Sequence, residues 1–329
     1  MRVRIAAAVI AILFAMTAAN ANAQSLQSVG ARADNDAFNF WKPPYARPDE
    51  EYTSGVRGWL TYSGAAFWER WLHRRCAVSA ERAVGCEPHF SHSFALGQDM
   101  YTGKLVPGDT THEPGTRPNS AWLYLQESSR VATESRLDET SISIGVTGPP
   151  ALGQQLQSFF HSLAPDLNRP MNWTEEVPFE PGLLLTFDRT YRTSATGDTM
   201  HFAFDVQPHY GASLGNILTE ARAGLRIRVG YALQHPWQQL AVRETPEISF
   251  FADVTGHAVG RNESLAGTLF RDSPHVTERP FVAEYQLGML LRYERLTIRY
   301  SMDQIGTEYF SRPNGHAWSR IGVEWRVER

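Results

Sequence analysis

Hydrophobic and polar residues alternate with a period of two along most of this chain. In the segment 222–229, arginine and glycine hold the even positions while alanine, leucine, isoleucine and valine hold the odd ones. The segments 93–100, 141–146 and 283–289 alternate in the same way. Such alternation is typical of β-strands with one apolar face and one polar or small face. It predicts about twelve strands, near 27–33, 54–64, 88–100, 119–130, 138–147, 182–193, 199–209, 219–232, 246–256, 281–293, 295–305 and 318–328.

The polar face of these strands could be the wet outside of a soluble sandwich or the lumen of a barrel, and alternation alone fits both. Several predicted strands reach about ten residues, the length of a tilted membrane strand. An even number of strands, together with tryptophan and tyrosine near strand ends, favours the membrane form. We therefore predict an all-β fold, an antiparallel transmembrane β-barrel of about twelve strands.

One segment departs from this pattern and has helical period. Between residues 151 and 163, Leu152, Leu156, Phe159 and Leu163 fall on one helical face, and Gln154, Gln157 and His161 fall on the opposite face. Pro149 and Pro150 suit the start of a helix. We predict a short amphipathic helix at the barrel rim, with its apolar face toward lipid or protein.

The first 23 residues have the composition of an export signal. Arg2 and Arg4 precede an apolar stretch from 5 to 19, and Ala21 and Ala23 offer a small-residue cleavage site. An uncleaved anchor is the alternative, but the apolar core is short for a span of about 20 residues. We expect a signal peptide at 1–23, a single barrel domain at 24–329 and localisation in the bacterial outer membrane.

Composition narrows the possible partners. The chain is 20% charged with a formal net charge of −4, and no polybasic segment follows the signal, so we do not expect a nucleic-acid partner. Cys76 and Cys86 are the only cysteines. In an exported protein they are expected to pair; a metal or nucleophile site would be the alternative, but no third cysteine and no Cys-x-x-Cys spacing supports it.

Polar clusters lie where consecutive predicted strands end and begin. They comprise 34–36, 51–55, 97–102 followed by Lys104, 117–122, and 148–153 followed by Gln157 and His161. If the strands alternate up and down, the ends of the first, third and fifth strands share one rim with the starts of the second and fourth. The clusters are therefore predicted to converge on one mouth of the barrel.

In order and spacing, these motifs resemble those of the lipid A 3′-O-deacylases of the outer membrane, the LpxR family. The resemblance covers nearly the whole mature chain. It rests on the Asn-Asp pair, Tyr-Thr-x-Gly, Gln-Asp-x-Tyr-Thr, Arg-Pro-x-x-x-Trp-Leu-Tyr, Gly-Pro-x-Ala-x-Gly with Gln-x-x-x-His, and the later Leu-Gly-Asn. It implies a twelve-stranded barrel, which agrees with the strand count.

The resemblance also implies an activity and a set of site residues. The activity is calcium-dependent hydrolysis of the ester-linked acyl group at the 3′ position of lipid A, so the expected partners are lipopolysaccharide and the outer membrane, and the chain is expected to act as a monomer. The implied catalytic positions are Asn35, Asp36, Thr53 and His161, with Gln157 beside them as a substrate-binding residue. Lys104 corresponds to the family's catalytic lysine, although Arg117 could instead supply the positive charge at the substrate.

These residue types can support ester hydrolysis. Hydrolysis needs a base that activates a nucleophile and donors that stabilise an oxyanion. His161 is the natural base near neutral pH, while Asp36 could orient it or ligate a hard cation. Calcium prefers oxygen ligands, which Asp36, Asn35 and loop carbonyls provide. Either water or the Thr53 hydroxyl could be the nucleophile.

Structural interpretations compete with each of these assignments. Residues 34–36 could form a turn, since Asn and Asp favour turns, Thr53 could only bridge strands, and Lys104 could be a solvated loop charge. At the level of the whole protein, the alternatives are an outer-membrane phospholipase-like hydrolase and a non-enzymatic barrel, either a porin or a structural protein.

Overall fold

Twelve antiparallel strands close into a single barrel in the computed structural model, in which each strand pairs with its sequence neighbours and the first strand pairs with the last. The structure describes residues 25–39, 51–66, 68, 88–106, 109, 111–163, 172–193, 202–237 and 245–327. The predicted signal peptide and both cysteines lie outside these residues. The strands β1 to β12 are Leu26–Asn35, Glu51–Ser63, His89–Thr102, Ser120–Ala132, Arg136–Thr147, Pro181–Tyr191, Phe202–Gly215, Leu218–Tyr231, Glu247–Asn262, Phe281–Tyr293, Leu296–Ile305 and His316–Arg326.

The predicted fold class is confirmed, and all twelve predicted strands are present, with ends shifted by up to six residues. The helix predicted over 151–163 is present and begins two residues later. A 3₁₀ turn at Pro149–Ala151 precedes helix α1 at Gly153–Leu163, and a second short helix, α2, covers Glu263–Ala266. Among the described residues, no helix is both long and apolar enough to span a bilayer.

Apolar side chains point outward from the barrel and charged side chains point inward. In β8, Leu225, Ile227 and Val229 are exposed on the outer surface. Arg226 alternates with them and forms an ion pair on the lumen side with Asp253 of the neighbouring strand β9, at 3.0 Å. An apolar exterior around a charged interior is the arrangement of a barrel that is embedded in lipid, and it identifies the polar face of the strands as the lumen.

The wall of the lumen is lined by ion pairs. Arg189 pairs with Asp138 at 2.6 Å and Arg222 pairs with Glu220 at 2.8 Å. A small apolar cluster of Trp122, Tyr124, Leu184 and Ile217 fills one side of the interior. A cavity of about 310 Å³ remains near one end, between Asp34, Glu284, His316 and their neighbours.

Odd-numbered strands end, and even-numbered strands begin, at the same rim, which we call the upper rim. Its connections are 36–50, 103–119, 148–180, 216–217, 263–280 and 306–315. All the polar clusters singled out in the sequence lie at this rim, as the strand order predicts.

Candidate active site on the outer wall of the barrel

The clusters at the upper rim lie on two faces of the barrel wall. Asp34 faces the lumen, where its carboxylate accepts a hydrogen bond from the Tyr52 hydroxyl at 2.9 Å and pairs with Arg32. Because neighbouring side chains of a strand point to opposite faces, Asn35 faces outward. The sequence predicted the shared rim but not this division between the two faces.

The chain continues along the outer face after Asn35. Asp36 opens a 3₁₀ turn, Asp36–Phe38, and is buried. This turn lies against the outside of β11 and β12, because the Asn39 amide donates to the Ala317 carbonyl at 2.8 Å and the Tyr300 hydroxyl donates to the Phe38 carbonyl at 3.2 Å. Asn35 and Asp36 are therefore both held at the outer surface by local backbone geometry.

A β-bulge directs Thr53 to the same outer face. The pairing of β2 with β3 shifts between Tyr52 and Ser54, which leaves Thr53 as the extra residue. Tyr52 can then face the lumen while the Thr53 hydroxyl meets the Thr102 hydroxyl at 2.5 Å. Bulges of this kind often re-aim a side chain next to an active site.

Helix α1 packs over the outer wall beside these residues. Register places Asn35, Ser54, Met100 and Ala121 in one row across β1 to β4. The Gln98 amide, which also points outward, donates to the Ala151 carbonyl at 2.5 Å just before the helix begins.

Two glycines permit this close approach of the helix. Gly148 has a φ of 70°, a left-handed conformation that favours glycine, and turns the chain onto the wall. A Cβ added at Gly153 would come within 2.7 Å of the Ala121 Cβ and would collide with the Trp173 ring. Only a glycine fits at the first residue of α1.

The face of α1 that carries Gln157 and His161 packs against protein. Gly153, Gln157 and His161 are spaced by four residues and share one face. Gln157 is only 4% exposed, and Nδ1 of His161 is shielded from solvent. Leu152 and Phe159 are about half exposed on the other side, but they share it with exposed polar residues, so the exposed face is mixed and not the apolar face predicted from the sequence.

Lys104 lies in the β3–β4 connection of the upper rim. Its Nζ pairs with the Glu113 carboxylate at 2.8 Å, and both side chains are partly exposed. The backbone N–H of Glu113 donates to the Lys104 carbonyl at 2.8 Å, which holds the two arms of the loop together. Lys104 is thus ordered at the rim and remains accessible from outside.

Asn119 fastens this loop to the segment that follows α1. Its side-chain oxygen accepts from the Gly103 N–H at 3.0 Å, and its backbone exchanges hydrogen bonds with Glu175 and Val177. Burial raises the pKa of the neighbouring Glu176 carboxyl to about 7. The loop that carries Lys104 and the chain that follows the helix therefore form one connected unit.

Residues 5–327 match the family model described as "Outer membrane protein LpxR". The chain belongs to the LpxR family. Its structure is similar to that of LpxR from Salmonella typhimurium, with a TM-score of 0.71 at 20% identity over 91% of this chain and 100% of that chain. At this identity the likeness shows the fold alone.

Other outer-membrane barrels are more distant. The β-domain of the Bordetella autotransporter BrkA has 9% identity and a TM-score of 0.45, and covers 91% of this chain and 98% of its own. That score is too low to carry an argument about this chain. No curated protein matches the sequence. The family assignment makes this chain an outer-membrane protein of a family that modifies lipid A.

Arg117 lies on the lumen side of this LpxR-family barrel, away from the outer-face residues. Its guanidinium is fully buried and pairs with Glu51 at 2.7 Å and Glu308 at 2.8 Å. It also stacks 4.9 Å from the Tyr101 ring centre. To reach a substrate, Arg117 would have to leave this network, whereas Lys104 would not.

Glu51, Glu308 and His316 approach within 4.8 Å of one another, close enough to hold a metal ion. Their charge is already balanced, because Glu51 pairs with Arg312 as well as Arg117. A divalent cation would have to displace two arginines there.

The outer face has a donor set that fits calcium better. Asp36 offers a carboxylate, Asn35 an amide oxygen, and Thr53 and Thr102 hydroxyl oxygens. Hard oxygen ligands of this kind suit calcium rather than a thiophilic metal.

Sequence reasoning overlooked two positions at this site. Thr102 closes the quoted Gln-Asp-x-Tyr-Thr motif, and its place in that motif is the signal that could have identified it. Trp173, whose indole N–H donates to the Gln157 side-chain oxygen at 2.8 Å, lies outside every motif, so no sequence signal marked it.

Proposed function

We propose that this protein hydrolyses the ester-linked 3′-acyl group of lipid A at the outer surface of its own barrel, with a calcium ion at Asp36. The observation that carries the proposal is the position of the site. Asn35, Asp36 and Thr53 lie on the outer side of the wall, and helix α1, which carries Gln157 and His161, packs outside β3 and β4. An acyl chain could reach them laterally without leaving the bilayer.

The direction of the barrel in the membrane supports a lipopolysaccharide substrate. Outer-membrane barrels have short periplasmic turns and longer extracellular loops. The six connections of the upper rim average about 16 residues, and the five of the lower rim average about 11, even though the lower rim includes the 25-residue connection 64–88. The upper rim, and with it the site, would then lie in the leaflet that holds lipid A.

In this mechanism His161 accepts a proton from water as the water attacks the ester carbonyl, and later returns it to the departing sugar hydroxyl. Water is favoured over Thr53 as the nucleophile because the Thr53 hydroxyl is buried against Thr102. The Gln157 amide supplies a neutral hydrogen-bond donor for the oxyanion, and the Lys104 ammonium supplies a positively charged one. A calcium ion held by Asp36 and Asn35 would add Lewis-acid polarisation of the ester carbonyl.

Two other functions make different predictions. A porin would conduct ions through its lumen, so channel conductance in planar bilayers distinguishes it. A phospholipase would use the same chemistry on a different lipid, so only its products distinguish it.

Mass spectrometry of the lipids of cells with and without the protein tests the proposal. The expected result is lipid A that has lost one ester-linked acyl group at the 3′ position, with phospholipids unchanged. Accumulation of lysophospholipid with intact lipid A would support the phospholipase instead. Unchanged lipids in both classes, with calcium present and the barrel folded, would refute hydrolysis.

A further inference from the structure

Trp173 covers the stripe of helix α1 that leads to His161. The indole ring sits against Gly153, and its N–H donates to Oε1 of Gln157 at 2.8 Å. Gly153 and Gln157 are one helical turn apart on the same face, and His161 is the next residue on that face. Trp173 therefore contacts Gly153 and Gln157 on the face of α1 that also carries His161.

The chemistry of the indole determines which way the Gln157 amide points. An indole N–H can only donate, so its partner must be the amide oxygen and not the amide nitrogen. A glutamine without such a contact can turn its amide by half a rotation and exchange oxygen for nitrogen. With Oε1 directed to Trp173, the NH₂ group is directed away from it.

Trp173 is itself anchored to the loop that carries Lys104. The carbonyl of the preceding Asn172 accepts a hydrogen bond from Nε2 of His112 at 3.0 Å and another from the Asn119 amide. The Asn172 side chain accepts from the Thr174 N–H at 2.8 Å. The backbone on both sides of Trp173 is thus fixed to the β3–β4 loop.

We propose that Trp173 is a positioning residue, which locks the Gln157 amide with its NH₂ group presented to the ester carbonyl oxygen. The proposal rests on the proposed function and deepens it, because it assigns Gln157 the role of an oxyanion donor rather than an acceptor. Trp173 itself would touch neither the substrate nor the water.

Trp173→Phe is the primary test, because it keeps an aromatic side chain and removes the indole N–H, together with the outer edge of the ring that meets Gly153. Loss of one orienting hydrogen bond should lower kcat on lipid A micelles about tenfold, with KM changed less than about twofold. The matched control is Trp237→Phe. The Trp237 indole donates to the Thr133 carbonyl at 2.7 Å at the lower rim, and its loss should leave kcat unchanged.

A coupling measurement separates positioning from general packing. If Trp173 acts through the Gln157 amide, adding Trp173→Phe to Gln157→Ala should lower kcat no further. An equal tenfold loss in both backgrounds would overturn the proposal. So would full activity of Trp173→Phe.

Gln157→Glu provides a second variant that leaves Trp173 intact, in case Trp173→Phe does not fold. Its carboxylate can still accept from the indole but has no donor, so kcat should fall at least tenfold. Undiminished activity of Gln157→Glu would overturn the donor assignment. A wild-type protein without activity on lipid A would instead refute the proposed function, and the proposal with it.

Discussion

Replacing Arg117 by methionine should destabilise the upper mouth of the barrel. The guanidinium is fully buried and joins the β3–β4 connection to strand β2 through Glu51 at 2.7 Å and to the β11–β12 connection through Glu308 at 2.8 Å. Methionine fills similar space without charge, so it leaves two buried carboxylates with one fewer cation between them. Removing one partner of a buried ion pair costs about 3–5 kcal/mol, and we expect a loss of that order in the free energy of unfolding.

The assay is urea unfolding of the refolded protein in detergent micelles, followed by the shift in electrophoretic mobility between folded and unfolded barrel. Arg130→Met is the matched control, because Arg130 pairs with Glu139 at 2.6 Å but both side chains are exposed. An exposed pair contributes less than about 1 kcal/mol. If Arg117→Met unfolds like wild type and yet loses activity, Arg117 rather than Lys104 supplies the charge at the substrate, and our interpretation of the network is wrong.

Three further predictions address the lysine, the rim and the metal. Lys104→Ala should reduce deacylation at least tenfold with unchanged unfolding, while Glu113→Ala, which removes only its ion-pair partner, should retain activity in the same assay. Burial raises the pKa of Glu263 to about 7, so the stability that its protonated form contributes is present at acidic pH and lost as the pH rises through 7. In parallel urea titrations, the free energy of unfolding of wild type should fall by about 3 kcal/mol relative to that of Glu263→Gln between pH 4 and pH 8. An equal pH dependence of the two proteins would contradict this. Chelation should abolish activity and calcium should restore it, with Asp36→Asn requiring more calcium for half-activity. Activity in excess chelator would exclude the metal. A lower turnover of Asp36→Asn at an unchanged calcium requirement would show that Asp36 orients His161 instead.

Much of the fold could be predicted from the sequence because alternate residues of each barrel strand face the lumen and the lipid, and so differ in polarity. Segments such as 222–229 can be identified as strands without knowledge of the tertiary structure, and their number agreed with a twelve-stranded barrel. The face of each site residue was harder to predict. Asp34 and Asn35 are adjacent yet lie on opposite sides of the wall, and the bulge at Thr53 resets the alternation within a single strand.

Contacts that depend on loop conformation could not be predicted from the sequence. Arg117 belongs to a motif of the family resemblance, but its burial arises from Glu51 and Glu308, the second of which is nearly two hundred residues away. Trp173 reaches Gln157 where the Asn119 amide holds the carbonyl of the preceding Asn172. Neither arrangement leaves a periodic signal, because long-range hydrogen bonds between connections have no fixed spacing.

The central claim is that the outer face of this barrel, with His161 as base, removes the 3′-acyl group of lipid A. The most direct test incubates purified lipid A with wild type, His161→Ala and His275→Ala in calcium, and follows the products by mass spectrometry. His275 is an exposed histidine of the same rim and serves as the control. We predict release of a single ester-linked 3′-acyl group by wild type and His275→Ala and none by folded His161→Ala; equal release by His161→Ala, or none by wild type, would contradict the account.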